Sequence, residues 1–422
     1  MSGNGPLARQ FRQVSDLRRK PALTSGAVRP IRPAGRLVVF LCTGLLLVAC
    51  GSAANRASPA GGQSSPRLTA SAGLSSSPAT TPAATPVPSA AAAQAPQFGT
   101  GDATVPLAAQ AVDTSHPTQV IGDGTPASCT SAAVVAAVAA GGIITFNCGP
   151  NPVTIAMTAT AKVVNTHQQT VIDGGGKVTL SGAGQIRILY MNTCDPNQAY
   201  TTSDCWQQQY PQLVVQNLTF KDAYSSVQQS STASYGGGAV FDEGGQLKVV
   251  NSGFLDNACY ASGPDLGGAA IRALGMYPGT PVYITDDTFT GGYCSNGGAL
   301  SSIDASWYVV NSLFGNNQAI GFGANPAQSG SPGGGSGGAI YTDGDNYNVT
   351  IDDSVIRDGS AREGGGAIFF VVDAGYGTLT IENGSVLRDN PSGEFQNAPG
   401  IFDSVDGQDT SPVITGGSVV SD

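Results

Sequence analysis

Residues 337–363 read GGAIYTDGDNYNVTIDDSVIRDGSARE, and this stretch contains three short candidate strands separated by turns. After a glycine pair, Ala339-Ile340-Tyr341 forms the first apolar run, and the DGDN sequence just beyond it is a strong turn signal. Tyr347 to Ile351 alternates apolar and polar side chains, as a half-buried strand does. Two aspartates turn the chain again before the third run, Ser354-Val355-Ile356. The stretch therefore predicts one turn of a coil with three strands and three corners.

The same pattern recurs along residues 213–390, which makes it a structural repeat. Each copy has an Asn or Asp followed three residues later by a large apolar residue, in the pairs Asn217 and Phe220, Asn251 and Phe254, Asp286 and Phe289, Asn311 and Phe314, and Asp353 and Ile356. Each copy also has a glycine-rich segment with an alanine, at Ala239, Ala269, Ala299, Ala339 and Ala367, spaced 28 to 40 residues apart. Repeats of this length are stacked units that bury their apolar faces against their neighbours. We therefore predict an all-β fold, a parallel β-helix in which every strand pairs with its counterpart one turn away.

The column of Asn and Asp residues predicts a role in the backbone rather than in chemistry. A sharp corner between strands needs left-handed backbone angles, and Asn and Asp are the non-glycine residues that adopt them most readily. Stacked Asn amides can also hydrogen-bond along the axis of such a coil. We interpret Asn217, Asn251, Asp286, Asn311 and Asp353 as a structural corner ladder. The Gly-Gly-Ala segments are interpreted as framework positions rather than as a phosphate-binding loop.

Several of these phrases resemble known right-handed parallel β-helix proteins. Gly337-Gly338-Ala339-Ile340 and Gly365-Gly366-Ala367-Ile368 resemble the first phrase of the chlamydial polymorphic outer membrane protein repeats. Phe254-Leu255-Asp256-Asn257 and Phe314-Gly315-Asn316-Asn317 resemble the second phrase, from which Phe289-Thr290-Gly291-Gly292 departs. The resemblance covers more than half of the predicted domain and implies a right-handed coil.

The stretch before the repeats resembles the start of pectate-lyase-like β-helices. Thr130 to Ala140 is rich in Ala and Val and is interpreted as a short helix that stops at Gly141-Gly142, before the strand Ile143 to Phe146. In that superfamily such a helix covers the open end of the apolar stack, so the resemblance implies an N-terminal capping helix. The expected fold is thus an all-β, right-handed parallel β-helix of three-strand rungs with one capping helix.

The first 112 residues are expected to lie outside this domain. Residues 1–49 combine a basic segment with an apolar run shorter than the ~20 residues that span a bilayer, which is typical of a secretory signal. The sequence LVACG resembles the bacterial lipobox and implies lipid attachment at Cys50, with an ordinary signal peptide as the alternative. Residues 50–112, rich in Ser, Pro and Ala, predict a flexible tether. The folded domain, residues 113–422, is expected at the cell surface, or in the periplasm of an organism with two membranes.

Cysteine usage agrees with export, because six cysteines follow the predicted lipidation site. An even number outside the cytoplasm predicts disulfides. Cys259 and Cys294 each follow a repeat phenylalanine by five residues, so they occupy one column on adjacent turns, at a strand spacing of about 4.8 Å that a disulfide accepts. The other expected pairs are Cys129–Cys148 and Cys194–Cys205. Zinc binding is the alternative, which the lack of a Cys-x-x-Cys pair and the presence of only two histidines disfavour.

The charge of the exported part excludes one class of partner. After Cys50 the chain contains 11 Lys and Arg residues against 28 Asp and Glu residues. Nucleic-acid binding is not expected, since phosphate neutralisation needs clustered bases. The same acidic surface would repel uronate polymers unless calcium bridged them.

An enzymatic function requires residues that the repeat alone does not supply, because this fold hosts enzymes, adhesins and inert scaffolds. Asp242 and Glu243 are candidates for a glycosidase carboxylate pair, and Arg272 is the most suggestive base for a polysaccharide lyase. The Arg-x-Pro-x-x-Arg-like motif of pectate lyases and the Asn-Thr-Asp motif of polygalacturonases are absent. Asp343 and Asp345 place oxygen ligands at alternate positions, as calcium loops do, and a plain tight turn is the alternative. We therefore assign no catalytic residue and no cofactor, with calcium left open.

The sequence favours a binding or adhesion module for a carbohydrate or other cell-envelope polymer, attached to the membrane through its lipid. Long polar loops follow the third strand of several repeats, and loops on a rigid scaffold commonly carry recognition. They include aromatic residues that either stack on sugars or pack on the coil: Tyr224, Tyr235, Tyr260, Tyr293 and Phe322. A polysaccharide lyase or glycoside hydrolase is the first alternative, and a passive envelope scaffold is the second.

Overall fold

The computed structural model describes residues 99–226, 236–264, 266–324 and 328–422. The predicted signal peptide, the lipidation site Cys50, the tether up to residue 98 and Tyr235 lie outside the described residues. Most of the regular structure in the described part is parallel β-strand, arranged in successive turns that we call rungs. The fold is a right-handed parallel β-helix, as the repeat and the resemblance together predicted, but several rungs have a short fourth strand in addition to the three expected.

Each complete rung contributes strands to three sheets, with strands numbered in chain order. Sheet 1 contains the strand that opens each rung: β4 (Ala161–Lys162), β6 (Leu189–Asn192), β9 (Val240–Glu243), β13 (Ile271–Leu274), β17 (Leu300–Ile303), β21 (Ile340–Asp343), β25 (Ile368–Val372) and β28 (Ile401–Val405), with β29 (Gln408–Asp409) antiparallel to β28. Sheet 2 contains the second and third strands: β1 (Gln119–Ile121), β2 (Gly142–Phe146), β3 (Val153–Ala156), β5 (Gln169–Ser181), β7 (Gln212–Lys221), β10 (Gln246–Val250), β11 (Gly253–Leu255), β14 (Val282–Thr285), β15 (Thr288–Thr290), β18 (Trp307–Val310), β19 (Leu313–Gly315), β22 (Asn348–Asp352), β23 (Val355–Arg357), β26 (Thr378–Glu382), β27 (Val386–Arg388), β30 (Val413–Ile414) and β31 (Val419–Val420). Sheet 3 contains a short fourth strand: β8 (Tyr224–Ser225), β12 (Ala258–Cys259), β16 (Tyr293–Cys294), β20 (Gln318–Ala319) and β24 (Ser360–Ala361).

The interior of the coil is a set of stacked apolar columns. One fully buried column runs in register along sheet 1: Val240, Ile271, Leu300, Ile340, Ile368 and Ile401. Another is a stack of four aromatic rings whose centroids lie 4.7 to 4.9 Å apart: Phe220, Phe254, Phe289 and Phe314. Because in-register strands repeat at about 4.8 Å, identical residues on successive rungs meet face to face. Such ring pairs add about 0.5–1.5 kcal/mol each beyond their buried area.

All five residues of the corner ladder have left-handed backbone angles, with φ between 42° and 56°. Their amides also meet along the axis, since Asn251 Nδ2 donates to Asn217 Oδ1 at 2.7 Å. After Asn251, Asp286, Asn311 and Asp353, the next side chain accepts a backbone N–H of the preceding rung, at Ser252, Asp287, Ser312 and Ser354, and Ser385 does so two residues after Asn383. These hydrogen bonds continue the backbone ladder across the bend.

A second corner follows the third strand, and buried asparagines occupy it on alternate rungs: Asn257, Asn317 and Asn390. Asn317 Oδ1 accepts the Gly292 N–H at 3.1 Å, and its Nδ2 donates to Phe289 O at 3.0 Å. A Cβ on Gly292 would lie only 3.1 Å from Asn317 Oδ1 and 2.1 Å from Gly298 O. A rung that faces the asparagine side chain of the next rung therefore needs a small residue at the equivalent position of its own corner. This explains why the phrase at 289–292 departs from the repeat.

One position of the predicted repeat is wrong. Ile271 pairs with both Val240 and Leu300, so Ala270, not Ala269, is the alanine that precedes this strand in register. Ala269 occupies the position of the second glycine in the other rungs. Counting a regular spacing along the sequence could not distinguish two adjacent alanines, because only the strand pairing decides the register.

One α-helix, α1 (Ser131–Ala140), covers the N-terminal end of the coil, in agreement with the predicted cap. Thr130 begins it by accepting the Ala133 N–H at 3.2 Å, and Gly141, with φ of 69°, ends it. Val134 and Val138 are fully buried in the core. Within the described ranges, no helix has both the length and the apolar character that crossing a membrane requires.

Three disulfides join the six cysteines in the expected pairs, Cys129–Cys148, Cys194–Cys205 and Cys259–Cys294, with Cα separations of 5.7, 5.1 and 4.8 Å. The third joins adjacent rungs at sheet 3, as the spacing of its cysteines predicted. Disulfides persist in oxidising compartments, so these three indicate an extracytoplasmic location.

Residues 99–114 lie along the corner ladder, and we call them the strap. The sequence placed the domain boundary at residue 113, with residues 99–112 in the flexible tether. In the structure Asp102 N donates to Asp353 Oδ2 at 2.8 Å, and Thr114 Oγ1 donates to Asp173 Oδ2 at 2.6 Å, so the strap crosses several rungs. Composition did not reveal this, because side chains of the coil hold the strap and few of its own side chains are buried.

Candidate functional site

Asp242 lies inside the coil, where it does not face solvent. In register it pairs with Met191 and Ala273, and both of these side chains belong to the core. Asp242 is fully buried, and neither carboxyl oxygen has a hydrogen-bond partner among the described residues. Burial raises the pKa of this carboxyl well above its usual value, and the neighbouring Glu243 raises it further. Burial and the lack of partners thus favour the protonated, uncharged form of Asp242.

Glu243, the next residue of the same strand, holds a loop in place. Its Oε1 accepts a hydrogen bond from Trp206 Nε1 at 2.8 Å, and its Oε2 accepts one from Asn192 Nδ2 at 2.7 Å. The side chain is buried. Both carboxylate oxygens are thus engaged in positioning neighbouring side chains.

Arg272 is buried on the outer face of sheet 1, between Phe241 and Ser301 in register. Its guanidinium donates to Ser301 Oγ. Because successive side chains of a strand point to opposite faces, the wall of the coil separates Arg272 from Asp242. The three catalytic candidates of the sequence therefore do not meet in one open site.

Asp343 and Asp345, the calcium candidates, both hold turns. Asp343 accepts hydrogen bonds from Tyr341 Oη at 3.0 Å and from Gly344 N at 2.9 Å, whereas Asp345 Oδ1 accepts the Ala374 N–H at 2.9 Å. Among the described residues there is no group of three or more His, Cys, Asp or Glu side chains arranged to bind a metal ion. The arrangement is that of stacked tight turns.

The aromatic residues of the predicted binding loops are partly exposed. Tyr260, Tyr293 and Phe322 are 42%, 44% and 46% exposed, and Tyr224 is half-buried. The first two belong to adjacent rungs at sheet 3, since Ser295 N donates to Tyr260 O at 3.2 Å. The Arg362 guanidinium lies 4.6 Å from the centre of the Phe322 ring. We call Tyr260, Tyr293 and Phe322 the loop-side aromatic group.

Trp206 forms a surface site that the sequence analysis missed. It follows Cys205 in a loop closed by the Cys194–Cys205 disulfide. Its Nε1 is held by Glu243, and a Cβ on Gly275 would lie only 3.0 Å from Trp206 Cγ, so the base of the indole packs directly on the glycine. The side chain is nevertheless 47% exposed. The result is a rigid aromatic surface that faces solvent.

Other aromatic residues border the same corner between sheets 1 and 2. Tyr210, at the end of the loop, is exposed, and Tyr277 is half-buried. A Cβ on Gly245 would lie 2.4 Å from Pro211 O, and Gly245 O accepts the Tyr277 N–H at 2.9 Å. The segments that carry the two tyrosines therefore meet at Gly245. We call Trp206, Tyr210 and Tyr277 the Trp206 corner.

A signal for this site is present in the sequence. Cys205-Trp206 closes a predicted short disulfide loop that also contains Tyr200, with Tyr210 just beyond it. A cross-linked loop this short offers few places in which to bury an indole. The glycine that lets the indole pack at the surface is far away in sequence, at Gly275, and only the coil brings it near.

No protein-family model matches the chain, and neither the curated proteins nor the solved structures gave a significant match. The geometry of the site consists of fixed, partly exposed rings on a disulfide-linked coil. Such rings can stack on a flat apolar ligand surface, and the polar groups around them can hydrogen-bond at its rim.

Proposed function

We propose that this protein is an extracytoplasmic binding module that holds a carbohydrate polymer of the cell envelope against the surface of its coil. The observation that carries the proposal is Trp206, an indole fixed by Glu243 and Gly275 and still half exposed. A rigid aromatic side chain provides contact area at a low cost in conformational entropy. Its apolar face suits the C–H face of a pyranose ring.

Two further features favour a long, uncharged ligand. The loop-side aromatic group supplies additional exposed rings on another side of the coil, and a polymer can contact more of them than a single sugar can. After Cys50 the chain has 28 acidic residues and only 11 basic ones, and this negative charge disfavours binding of polyanionic ligands. Neutral polysaccharides are therefore the first ligands to test.

The proposed location is the outer surface of a membrane. The lipobox-like sequence at Cys50 and the Ser/Pro/Ala-rich residues after it support a lipid anchor with a flexible tether. The glycine and Phe-x-x-Asn phrases support placing the chain with the pectate-lyase-like β-helices and their repeat-containing relatives. The three disulfides also support a location on the extracytoplasmic side of the membrane.

The chain provides its own spectroscopic probe for binding. It has two tryptophans, and Trp307 is buried inside the coil, with its Nε1 donating to Ser302 Oγ at 2.8 Å. We expect titration with a neutral polysaccharide to change the fluorescence of Trp206 and to leave that of Trp307 unchanged. Trp206→Ala should abolish the change and weaken binding about tenfold or more, which is ~1.4 kcal/mol.

Tyr376→Ala is the matched control, because Tyr376 is 71% exposed and belongs to neither aromatic group. It should bind like the unmodified protein. Equal binding by the Trp206→Ala variant, or no binding across neutral and acidic glycans, would overturn the proposal. So would new reducing ends or unsaturated products, with or without calcium, which would identify the protein as a glycoside hydrolase or a lyase.

A further inference from the structure

The strap is bound to the coil mainly through its backbone. The Asn311 amide makes two hydrogen bonds with Ala103, since Oδ1 accepts its N–H at 2.9 Å and Nδ2 donates to its carbonyl at 3.0 Å. Gln216 repeats this arrangement with Val112, at 2.9 and 3.0 Å. Each side-chain amide thus offers one strap residue an acceptor for its N–H and a donor for its C=O, as the backbone of a neighbouring β-strand would.

Charged side chains complete the binding surface between and beside these two amides. Lys248 Nζ donates to Ala108 O at 3.2 Å and to Gln110 O at 2.7 Å. Asp353 Oδ2 accepts backbone N–H groups from Asp102 and Ala103. The corner groove is the surface formed by Asp173, Gln216, Lys248, Asn311 and Asp353.

The side chains of the strap contribute little to this interaction. Within residues 99–114, Ala109 is the only buried residue, and Leu107 is 84% exposed. A surface that pairs with N–H and C=O groups recognises an extended backbone, as a sheet edge does when a strand is added to it. The corner groove therefore recognises backbone N–H and C=O groups, and it requires glycine at two positions, because a Cβ on Gly99 would lie 2.2 Å from Asn311 O and a Cβ on Gly101 would lie 2.3 Å from Asp353 O.

We infer that the corner groove is a peptide-binding site and that the strap of a second copy of this chain occupies it in trans. The strap already has the backbone geometry that the groove accepts. Exchange of an identical element is a low-cost route to dimers, because the hydrogen bonds formed between two copies are the same as those formed within one. The intramolecular strap competes at high effective concentration, so exchange requires its release or crowded copies.

The first test opens the groove without altering it. Ala103→Pro combined with Val112→Pro removes the two N–H groups that Asn311 and Gln216 accept, and we call this chain the release variant. A fluorescein-labelled peptide with the sequence of residues 99–114 should bind it saturably in fluorescence anisotropy, and at least tenfold more tightly than it binds the unmodified protein. A peptide that keeps Gly99, Gly101, Pro106 and Ala109 in place and shuffles the remaining residues should bind within about threefold, because the groove reads backbone at the shuffled positions. The same peptide with proline at positions 103 and 112 should not bind.

The second test addresses the second copy. A groove variant, Asn311→Gly with Gln216→Ala, keeps its strap but has a weakened groove of its own. Mixing this mass-labelled groove variant with the release variant should give heterodimers in native mass spectrometry, because one chain supplies the strap and the other supplies the open groove. Adding Asn311→Gly and Gln216→Ala to the release variant should remove them, and glycine suits the left-handed angle of residue 311. No peptide binding overturns the whole inference, and peptide binding without heterodimers overturns the exchange.

A third measurement needs no substitution and covers the case in which the release variant does not fold. Excess peptide added to the unmodified protein should raise the hydrogen-exchange rate of its own strap amides at Ala103 and Val112. Circular dichroism checks the fold of the variant, with Leu107→Pro as the proline control. The backbone should accept proline at position 107, because the preceding residue, Pro106, has φ −57° and ψ 146°, the extended conformation that a residue before proline prefers. Unchanged exchange at saturating peptide would contradict the inference.

Discussion

At the scale of single residues, the buried asparagines show how one side chain joins two rungs. Asn317 satisfies a backbone N–H and a backbone C=O of the preceding rung, and it is itself 1% exposed. The sequence identified the Phe-x-x-Asn phrase but not its alternation, because the reason lies in the space between rungs. Gly292 is small so that Asn317 can reach across.

Removing this bridge should be costly. Asn317→Ala leaves Gly292 N buried without a partner, which costs about 1–3 kcal/mol, and removes one hydrogen bond to Phe289 O, worth about 0.5–1.5 kcal/mol, so we expect a decrease of about 1.5–4.5 kcal/mol in the free energy of unfolding. Gln318→Ala, one position along, should change it by less than about 0.5 kcal/mol. Urea unfolding of both variants checks this, and a comparable effect of the two would contradict the bridging role.

Asp242 is the residue where the sequence-based expectation and the structure differ most. The pair Asp242-Glu243 suggested two carboxylates near each other on a surface, but in a strand adjacent residues face opposite sides. Which of the two faces inward depends on the register of β9 with β6 and β13, and the sequence alone did not settle that register.

This burial makes the stability of the coil depend on pH. The pKa of the Asp242 carboxyl is raised in the folded protein. The stability that this group contributes is therefore fully present below its unfolded pKa of about 3.9 and is lost as the pH rises toward the folded pKa. Asp242→Asn should therefore unfold with a similar free energy at low pH and become progressively more stable than the unmodified protein as the pH rises above about 4. Each unit of pKa elevation corresponds to about 1.4 kcal/mol.

Urea unfolding at several pH values measures that difference. Asp406, which is exposed in the turn between β28 and β29, provides the control, and Asp406→Asn should stay within about 0.5 kcal/mol of the unmodified protein. A constant difference between Asp242→Asn and the unmodified protein across this pH range would show that the carboxyl is not held neutral.

At the scale of elements, strands were predictable and loops were not. The three disulfide pairs, the capping helix and the corner positions follow from local patterns or from one strand spacing. Trp206 and the strap did not follow, because both depend on distant partners, Gly275 in one case and the corner ladder in the other. The composition of residues 99–112 predicted a flexible segment, because few of their side chains can be buried. In the structure, hydrogen bonds from their backbone to the coil hold them in place instead.

The disulfide loop around Trp206 should matter for binding as well as for stability. Cys194→Ser with Cys205→Ser should lower the free energy of unfolding by about 2–4 kcal/mol and, because the indole loses its support, weaken polysaccharide binding about tenfold. Cys129→Ser with Cys148→Ser is the matched control, since it removes a disulfide far from the Trp206 corner. It should lower stability and leave affinity within about twofold. Equal affinity losses in the two double variants would show that binding follows global stability alone.

At the scale of the whole coil, the strap introduces long-range interactions into a stack of rungs. In repeat proteins each unit contacts mainly its neighbours, and stability is close to a sum of neighbouring terms. The strap joins distant parts of the chain. Asp102 binds Asp353, which is 251 positions away, and Ala103 binds Asn311, which is 208 positions away. It therefore couples rungs that do not touch.

Removing the hydrogen bonds that hold the strap should reduce the cooperativity of unfolding. We expect the unmodified protein to unfold in one calorimetric transition, with equal calorimetric and van't Hoff enthalpies. The release variant should show a broader or split transition, whereas Leu107→Pro should behave like the unmodified protein. A single sharp transition in the release variant would mean that rung stacking alone provides the cooperativity.

The strap also constrains the order in which the protein can mature. Ala103 leaves the ribosome 208 residues before Asn311, and Asp102 leaves it 251 residues before Asp353. Residues 108–114 can dock once Asp173, Gln216 and Lys248 have been made, but Asp102 and Ala103 lack their partners until synthesis has passed Asp353. Docking of the strap is thus completed late in biogenesis, and a chain truncated before Asn311 would leave residues 99–103 open to proteases.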